Sequence, residues 1–201
     1  MEETAEKELS IYGEHLPMLV RIIEDMEKRI DLLRESMKQQ RGMDPVEHCL
    51  SRIKSEESMR EKCVRKGLAQ TPESALFEIH DAIGFRIVCA FVSDVYMIRD
   101  YLAEAEDLEI VEEKDYIRNA KPNGYRSYHM ILKTQTGYYL EIQLRTISMD
   151  TWAALEHHLK YKKTVSGNEQ LIVRELKRCA DELASTDVSM QTIRDMIFEE
   201  A

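Results

Sequence analysis

The sequence predicts an α+β fold, in which helices flank a mixed β-sheet of about five strands and a long helix lies at each end. Runs in which apolar and polar residues alternate predict the strands, as at Leu140, Ile142 and Leu144. Apolar residues spaced alternately by three and four predict the two end helices, in 2–40 and 169–201. We therefore expect an N-terminal helical extension (1–45), a central core (46–163) and a C-terminal helical segment (164–201).

The N-terminal helix carries a heptad-like apolar seam and is predicted to end at Gly42. Pro17 suits a first helical turn, so we expect a break between Gly13 and Leu16. A seam of this kind fits either a helix docked on its own domain or a helix in a subunit interface. Its residues are Leu16, Leu19, Ile23, Met26, Ile30, Leu33 and Met37.

The core alternates between predicted strands and helices, with Gly and Pro residues between them. The predicted strands are Val46–Lys54, Ile83–Phe91, Leu108–Glu112, Tyr125–Lys133 and Tyr138–Arg145. The predicted helices are Ser55–Lys66, Pro72–Ile79, Ser93–Ala105 and Met149–Lys163. A turn is expected at 166–168, and Ser185–Asp187 is expected to break the last helix by capping a second one.

Composition narrows the class of protein. The formal net charge of −10 argues against a general nucleic-acid coat protein, although a local basic cleft on an acidic body fits it. No apolar run is long enough for a transmembrane helix, and the acidic N-terminus does not resemble a signal peptide. The four cysteines are scattered without metal or disulfide spacing, which indicates reduced thiols and a cytoplasmic location.

Cations are concentrated at the end of the first predicted strand and on the helix after it. Arg52 and Lys54 are two residues apart and share one strand face. Ser58, Lys62 and Arg65 share one side of the helix. Taken alone, such a basic face is ordinarily just solvated.

A turn at 121–124 and the hairpin after it contain the most unusual residues of the chain. Lys121, Arg126 and His129 are groups that bind anions, and Tyr125 is an aromatic residue able to stack on a base. The polar face of the second hairpin strand comprises Tyr139, Glu141, Gln143 and Arg145.

Four motifs of the core together resemble the synthetase domain of the RelA/SpoT-type (p)ppGpp synthetases. These are D-x-x-G-x-R-I at 81–87, D-Y-I-x-x-x-K-P-N-G-Y-R-S-Y-H at 115–129, E-I-Q-L-R-T at 141–146 and M-D-x-W-A-x-x-E-H at 149–157. They keep the family's order and cover about residues 46–163. The chain resembles a small, stand-alone alarmone synthetase, which implies a nucleotidyltransferase-like core and a homo-oligomer, often a tetramer.

The resemblance implies transfer of the β,γ-diphosphate of ATP to the 3′-hydroxyl of GDP or GTP, which yields AMP and ppGpp or pppGpp. It implies Mg²⁺ held by Asp81 and Glu141, and it makes Glu141 the base that takes the 3′-hydroxyl proton. The resemblance also implies that the side chains of Arg52 and Arg86 stack on the two sides of adenine. The implied ATP-binding set is Arg52, Lys54, Ser58, Lys62, Arg65 and Arg86.

The resemblance also implies an acceptor site for GDP or GTP. Tyr125 would stack on guanine, and Asp150 would accept hydrogen bonds from the guanine edge. Lys114, Lys121 and His129 would hold the acceptor phosphates, and Gln143 and Arg145 would shape the cleft.

Three other functions compete with this one. Some relatives are toxins that pyrophosphorylate the 3′ end of tRNA, for which Lys28 and Arg29 are candidate contacts. A second alternative is an inactive module that binds guanine nucleotide or single-stranded RNA. The third is a metal phosphohydrolase signalled by His80-Asp81, but no matching set of further ligands follows, and His80 is expected to be structural. The adjacent His157 and His158 cannot face one zinc ion from a helix.

Overall fold

One mixed sheet organises the protein, which is described by a computed structural model over residues 10–161 and 169–199. Within those residues the sheet has five strands, in the order β1-β2-β5-β4-β3. The strands are β1 Val46–Ile53, β2 Ile83–Cys89, β3 Leu108–Asp115, β4 Tyr128–Thr134 and β5 Tyr139–Thr146. The α-helices are α1 Leu16–Arg41, α2 Glu56–Lys66, α3 Val92–Ala103, α4 Ile147–Tyr161 and α5 Glu169–Glu199. The predicted α+β class with a mixed sheet is confirmed.

The pairing of β2 with β5 is parallel, whereas the other three strand pairs are antiparallel. Because successive side chains of a strand point to opposite faces, the alternating sequence of β5 gives the sheet one apolar and one polar face. The apolar face holds Phe85, Ile87, Met130, Leu140 and Ile142, all of which are almost completely buried. The opposite, polar face of the sheet is therefore the one that can carry a functional site.

Helix α1 packs against the apolar core of its own domain, as one of the two alternatives predicted. Leu19, Met26 and Ile30 are buried in the core cluster, together with Val95 and Ile98 of α3. A short 3-10 turn, Gly13–His15, precedes the helix, which confirms the expected break. Gly42 ends the helix in a left-handed conformation, as predicted.

Helix α5 is continuous, so the predicted break at Ser185–Asp187 is wrong. The Ser189 hydroxyl donates to the Ser185 carbonyl, and the Thr186 hydroxyl donates to the Glu182 carbonyl. Such bonds to the preceding turn are compatible with an uninterrupted helix. The Asp187 carboxylate does not cap a helix, because it accepts a 2.6 Å hydrogen bond from the Thr146 hydroxyl.

The predicted seam of α5 describes only the start of the face that docks. Its residues, spaced by three and four, are Ile172, Leu176, Cys179, Leu183, Thr186, Met190, Ile193 and Ile197. Ile172 and Leu176 are half-buried, but Cys179, Met190 and Ile193 are exposed. The docked face instead follows Ala180 and Asp187, with Gln191 and Arg194 half-buried beyond them. A polar side chain can lie in a docked helix face when it hydrogen-bonds to the rest of the domain. A search for apolar residues alone does not predict such a position.

Other boundaries shift by a few residues. Strand β3 continues past the predicted Glu112 to Asp115, and β4 begins at Tyr128 rather than Tyr125. The segment 125–127 belongs to the turn, since the amide of Tyr125 donates to the side chain of Asn123. The predicted helix at 72–79 is a single π-helical turn over Ser74–Glu78. The turn expected at 166–168 lies outside the described residues.

The described part of the chain contains no helix that is long and apolar enough to cross a membrane. All four cysteines are free, as the scattered spacing predicted.

Gly124 lets α5 approach the core, and its replacement should loosen that contact. Its φ is +94°, and a Cβ would lie 2.6 Å from the Ala180 Cβ and 2.9 Å from the Lys177 Cα. Gly137 has a similar φ of +89° but open space around it. We expect Gly137→Ala to lose about 1–2 kcal/mol of unfolding free energy through backbone strain. Gly124→Ala should lose about 1–3 kcal/mol more, because it also overpacks the contact.

Urea unfolding followed by the fluorescence of Trp152 measures both effects, because the indole N–H donates to the Leu176 carbonyl of α5 at 2.9 Å. Equal losses in the two variants would contradict the packing role of Gly124.

Candidate active site

Two rows of side chains cross the polar face of the sheet and bring the predicted site residues together. In one row, Arg52 of β1 lies opposite Gly84 of β2, which lies opposite Glu141 of β5. The neighbouring row runs Arg86, Gln143, His129 and Lys114 across β2, β5, β4 and β3. Strand register thus places residues expected on the ATP side beside residues expected on the acceptor side.

Asp81 lies just before β2 and is held between two lysines. Its Oδ2 is 2.5 Å from both Lys54 Nζ and Lys62 Nζ. Backbone bonds fix the end of β1 here, since the Lys54 amide donates to the Ala82 carbonyl and the Tyr12 hydroxyl donates to the Lys54 carbonyl. Burial raises the pKa of Asp81, but the hydrogen bonds from the two lysines outweigh it and hold the pKa below its ordinary value. Asp81 is therefore ionised at neutral pH.

Glu141 is also held as a carboxylate. Gln143 Nε2 donates to its Oε2 at 2.9 Å, and His129 Nδ1 lies 3.5 Å from its Oε1. Burial raises the pKa of Glu141, and the negative charge of Asp81 adds to this, but His129 and Gln143 outweigh both and lower the pKa. An ionised carboxylate on an open face is able to bind a cation or accept a proton.

The two carboxylates fit a magnesium site that phosphate oxygens and water would complete, and the binding of Mg²⁺ stays a prediction. Asp81 Oδ1 is buried and has no hydrogen-bond partner in the described residues, so one oxygen is available to a metal. A Cβ on Gly84 would meet nothing within 4 Å, so there is open space next to Glu141. No cluster of three or more His, Cys, Asp or Glu residues suited to a metal occurs among the described residues. Mg²⁺ typically uses one or two carboxylates plus phosphate oxygens and water.

Three of the predicted ATP contacts are exposed side chains. Arg52, Ser58 and Arg65 are exposed, and the Ser58 hydroxyl accepts a hydrogen bond from Ser55, the residue that caps α2. Lys62 is half-buried, because it is engaged with Asp81. Cations left exposed beside two carboxylates produce a surface that attracts phosphate.

On the acceptor side, Tyr125 lies among aromatic and cationic groups. Lys121 Nζ is 4.8 Å from the centre of its ring, and the centres of the Tyr125 and Trp152 rings are 6.4 Å apart in an edge-to-face arrangement. The Tyr125 hydroxyl forms a 2.7 Å hydrogen bond with His129 Nε2. Lys114 pairs with Glu112 at 2.8 Å. The contact of Tyr125 with guanine stays a prediction, as do the phosphate contacts of the two lysines.

The surroundings of Asp150 were not foreseen. Its Oδ1 accepts a 2.9 Å hydrogen bond from Arg145 Nη1 and lies 3.6 Å from Arg86 Nη1. Asp150 therefore links a residue of the predicted ATP side to a buried arginine of β5. The role of Asp150 as a reader of the guanine edge stays a prediction.

Two residues singled out in the sequence have structural partners. Arg126 was expected to bind anions. It forms an ion pair with Asp181 of α5 at 2.8 Å instead, which connects the helix to the turn. His80 stacks on Tyr139 with ring centres 3.9 Å apart, and its structural role stays a prediction.

The fold and the site together define a class of protein. Two ionised carboxylates and a surrounding set of cations on an open sheet face are suited to an enzyme that binds nucleotide phosphates and transfers a phosphoryl group.

Comparison with known proteins narrows this class. The family described as the region found in RelA / SpoT proteins matches residues 51–166. The chain is 44% identical to the GTP pyrophosphokinase YwaC of Bacillus subtilis over 160 residues, which is 76% of each chain. The crystal structure of small alarmone synthetase 2 from Bacillus subtilis superposes with a TM-score of 0.79 and 37% identity, covering 91% of this chain and 98% of the other.

Small alarmone synthetase 1 from the same organism, bound to its product pppGpp, superposes with a TM-score of 0.75 and 30% identity, covering 89% of this chain and 94% of the other. The chain belongs to the RelA/SpoT family.

Asp81→Asn tests the charged centre through stability. Because one partner of a mostly buried set is removed, we expect a loss of about 2–3 kcal/mol at pH 7. A larger loss is not expected, since Lys54 and Lys62 keep 18% and 22% of their side chains exposed. The pKa of Asp81 is lowered in the folded protein, so its stabilisation is present above the ordinary value and is lost as pH falls through the folded value.

The gap in unfolding free energy between wild type and Asp81→Asn should therefore close below about pH 4, measured by urea unfolding between pH 7 and pH 3. Asp25→Asn is the control, because its pair with Lys28 is exposed and spans 3.9 Å. A gap that is independent of pH would show that Asp81 does not act through its charge.

Proposed function

We propose that this protein is a GTP pyrophosphokinase that transfers the β,γ-diphosphate of ATP to the 3′-hydroxyl of GDP or GTP, giving ppGpp or pppGpp and AMP. One observation carries the proposal: Asp81, bound by two lysines just before β2, and Glu141, opposite Gly84 of β2, lie at the same end of a sheet face lined by cations. Similarity to proteins named GTP pyrophosphokinase supports the same activity.

ATP is held on the side of β1 and α2. Arg52 and Arg86 lie on neighbouring strands of the polar face, where planar guanidinium groups are able to stack on adenine or bind phosphate. Lys54 and Lys62 already converge on one carboxylate oxygen, so they are also placed to neutralise a polyphosphate. Ser58 and Arg65 extend the cationic surface along α2.

Asp81 and Glu141 would hold Mg²⁺, which would supply charge neutralisation for the phosphates. The acceptor 3′-oxygen attacks the β-phosphorus of ATP, the bond from that phosphorus to the α,β-bridging oxygen breaks, and AMP leaves with that oxygen. Glu141 takes the 3′-hydroxyl proton, which requires the ionised state that its lowered pKa provides.

The acceptor nucleotide lies on the side of β4 and the turn before it. Tyr125 stacks on guanine, while Lys114, Lys121 and His129 hold its phosphates. This arrangement is supported by the register that places His129 between Lys114 and Gln143.

A tRNA acceptor is less well supported. Lys28 and Arg29 are the candidate contacts for RNA on α1, but Lys28 lies 3.9 Å from Asp25 and Arg29 pairs with Asp107 at 2.5 Å. Cations that are already paired with carboxylates contribute little to phosphate binding.

The four free cysteines suit a reducing compartment, so we place the enzyme in the cytoplasm.

The direct test supplies ATP labelled on its terminal phosphates, with Mg²⁺, to the purified protein. GDP, GTP, deacylated tRNA and no acceptor are compared in parallel. Label on guanine nucleotide, with release of AMP, is the expected result. Label on tRNA alone would overturn the proposed acceptor, and no Mg²⁺-dependent transfer to any acceptor would overturn the proposed activity.

Glu141→Gln should abolish transfer and leave nucleotide binding intact. The amide cannot take the 3′-hydroxyl proton, so we expect the rate to fall about 10²–10⁴-fold. Glu109→Gln is the matched control, because Glu109 is an exposed residue of β3 in the same sheet. Full activity of Glu141→Gln in the labelled-ATP assay would refute the proposed role of Glu141.

We also propose a homo-oligomer, of the tetrameric kind implied by the resemblance, assembled through α5. Met190, Ile193 and Ile197 belong to the predicted seam, yet 49%, 48% and 61% of each is exposed in the single chain. An apolar stripe of this kind is expected to be covered in the assembly.

Ile193→Glu should lower the molar mass measured by light scattering, because it places a charge in that stripe. Thr192→Glu, an exposed position about 100° around the helix from Ile193, should leave the mass unchanged. The same mass for both variants would exclude this face of α5 from the interface.

A further inference from the structure

We propose that Arg145 is a positioning residue for the transfer reaction, which fixes both oxygens of Glu141 through two hydrogen-bonded arms. One arm passes through Tyr125 and His129, and the other passes through Gln143. The proposal rests on the proposed function, in that Glu141 acts there on the acceptor hydroxyl.

Arg145 is held in place by a contact that is part of neither arm. Its side chain is 6% exposed, and its Nη1 donates to Asp150 Oδ1 at 2.9 Å. A buried guanidinium requires a partner of opposite charge, and a planar group with a fixed fork is more strictly oriented than an ammonium. Its Nη2 then has two N–H bonds to give, one to Tyr125 and one to Gln143.

The first arm determines the tautomer of His129. Arg145 Nη2 lies 2.9 Å from the Tyr125 hydroxyl, and because a guanidinium only donates, the hydroxyl oxygen accepts. The hydroxyl proton is then free to point to His129 Nε2, 2.7 Å away, and this direction is the one that leaves the imidazole an N–H, rather than a lone pair, to face Glu141. With Nε2 as the acceptor, the neutral imidazole carries its proton on Nδ1, which lies 3.5 Å from Glu141 Oε1.

The second arm determines the orientation of an amide. Arg145 Nη2 also donates to Gln143 Oε1 at 2.9 Å, so the amide oxygen must face the arginine. The amide nitrogen therefore faces the other way and donates to Glu141 Oε2 at 2.9 Å.

The two arms turn one N–H group toward each carboxylate oxygen of Glu141: the Gln143 amide donates to Oε2 at 2.9 Å, and His129 Nδ1 lies 3.5 Å from Oε1. With the opposite imidazole tautomer or the opposite amide orientation, a lone pair would face the carboxylate and repel it. Arg145 touches no carboxylate oxygen of Glu141, yet every donor to Glu141 named above is oriented by it. A misplacement of about 1 Å in a reacting group costs about 10²-fold in rate, so loss of this orientation should appear in kcat.

The test breaks the arms separately in the full-length protein. Tyr125→Phe removes the hydroxyl and keeps the ring, Gln143→Met removes the amide, and Arg145→Lys keeps the charge without the fork. Tyr116→Phe is the matched control, since its ring also contacts His129, at 5.3 Å, while its hydroxyl forms no hydrogen bond with the residues that the structure describes.

We expect Tyr125→Phe and Gln143→Met each to lower kcat about 10-fold and Arg145→Lys to lower it about 100-fold. The KM for GDP should change less than about threefold in Tyr125→Phe, because the ring is retained. Tyr116→Phe should leave both constants unchanged. Loss in KM alone, or wild-type kcat in Tyr125→Phe, would overturn the proposal. If Arg145→Lys fails to fold, Tyr125→Phe and Gln143→Met still test the proposal.

The tautomer is read independently of activity by ¹⁵N NMR of histidine-labelled protein, with His129→Gln used to assign the signal. Wild type should carry the His129 proton on Nδ1, and Tyr125→Phe should allow both tautomers. A proton on Nε2 in wild type would overturn the first arm. Absence of transfer by wild type would refute the proposed function, whereas the NMR result would still test the network.

Discussion

The site depends on the parallel pairing of β2 with β5. This pairing places Gly84 opposite Glu141 and Arg86 opposite Gln143, and it brings Asp81, which precedes β2, to the same end of the sheet. The register is strict, because a slip of one residue would turn Glu141 into the core and expose Ile142. Burial of the apolar face by α1 and α3 therefore fixes the polar face as well.

The polar face carries its charges in a paired and oriented form. Lys54 and Lys62 share one oxygen of Asp81, and Arg145 is balanced by Asp150. Burial alone would raise the pKa of Asp81, and the two lysines are what hold it below its ordinary value. A chain with a formal net charge of −10 thereby presents a local surface suited to polyphosphate. Preorganised charge of this kind is a principal source of catalysis in phosphoryl transfer.

Much of this arrangement could be predicted from the sequence. The alternation in β5 placed Glu141 and Gln143 on one face, and the motif at 81–87 singled out Asp81 and Arg86. From the sequence, Arg145 was expected only to help shape the cleft. The structure shows that it is buried at the end of β5, although it follows the polar positions of that strand. Its partner Asp150 lies on another element, and no local pattern links the two. The break expected in α5 failed for the same reason, since Asp187 bonds to distant Thr146.

The sequence by itself determined which segments form strands and helices, which face of each is apolar, and which family the motifs resemble. These properties follow from local periodicity and from residue types at fixed spacing. Only the tertiary structure decided the strand order, the lysine pair on Asp81, and the donors that orient the two oxygens of Glu141. Those features depend on hydrogen bonds between residues far apart in the chain, whose register is set by packing of the whole sheet.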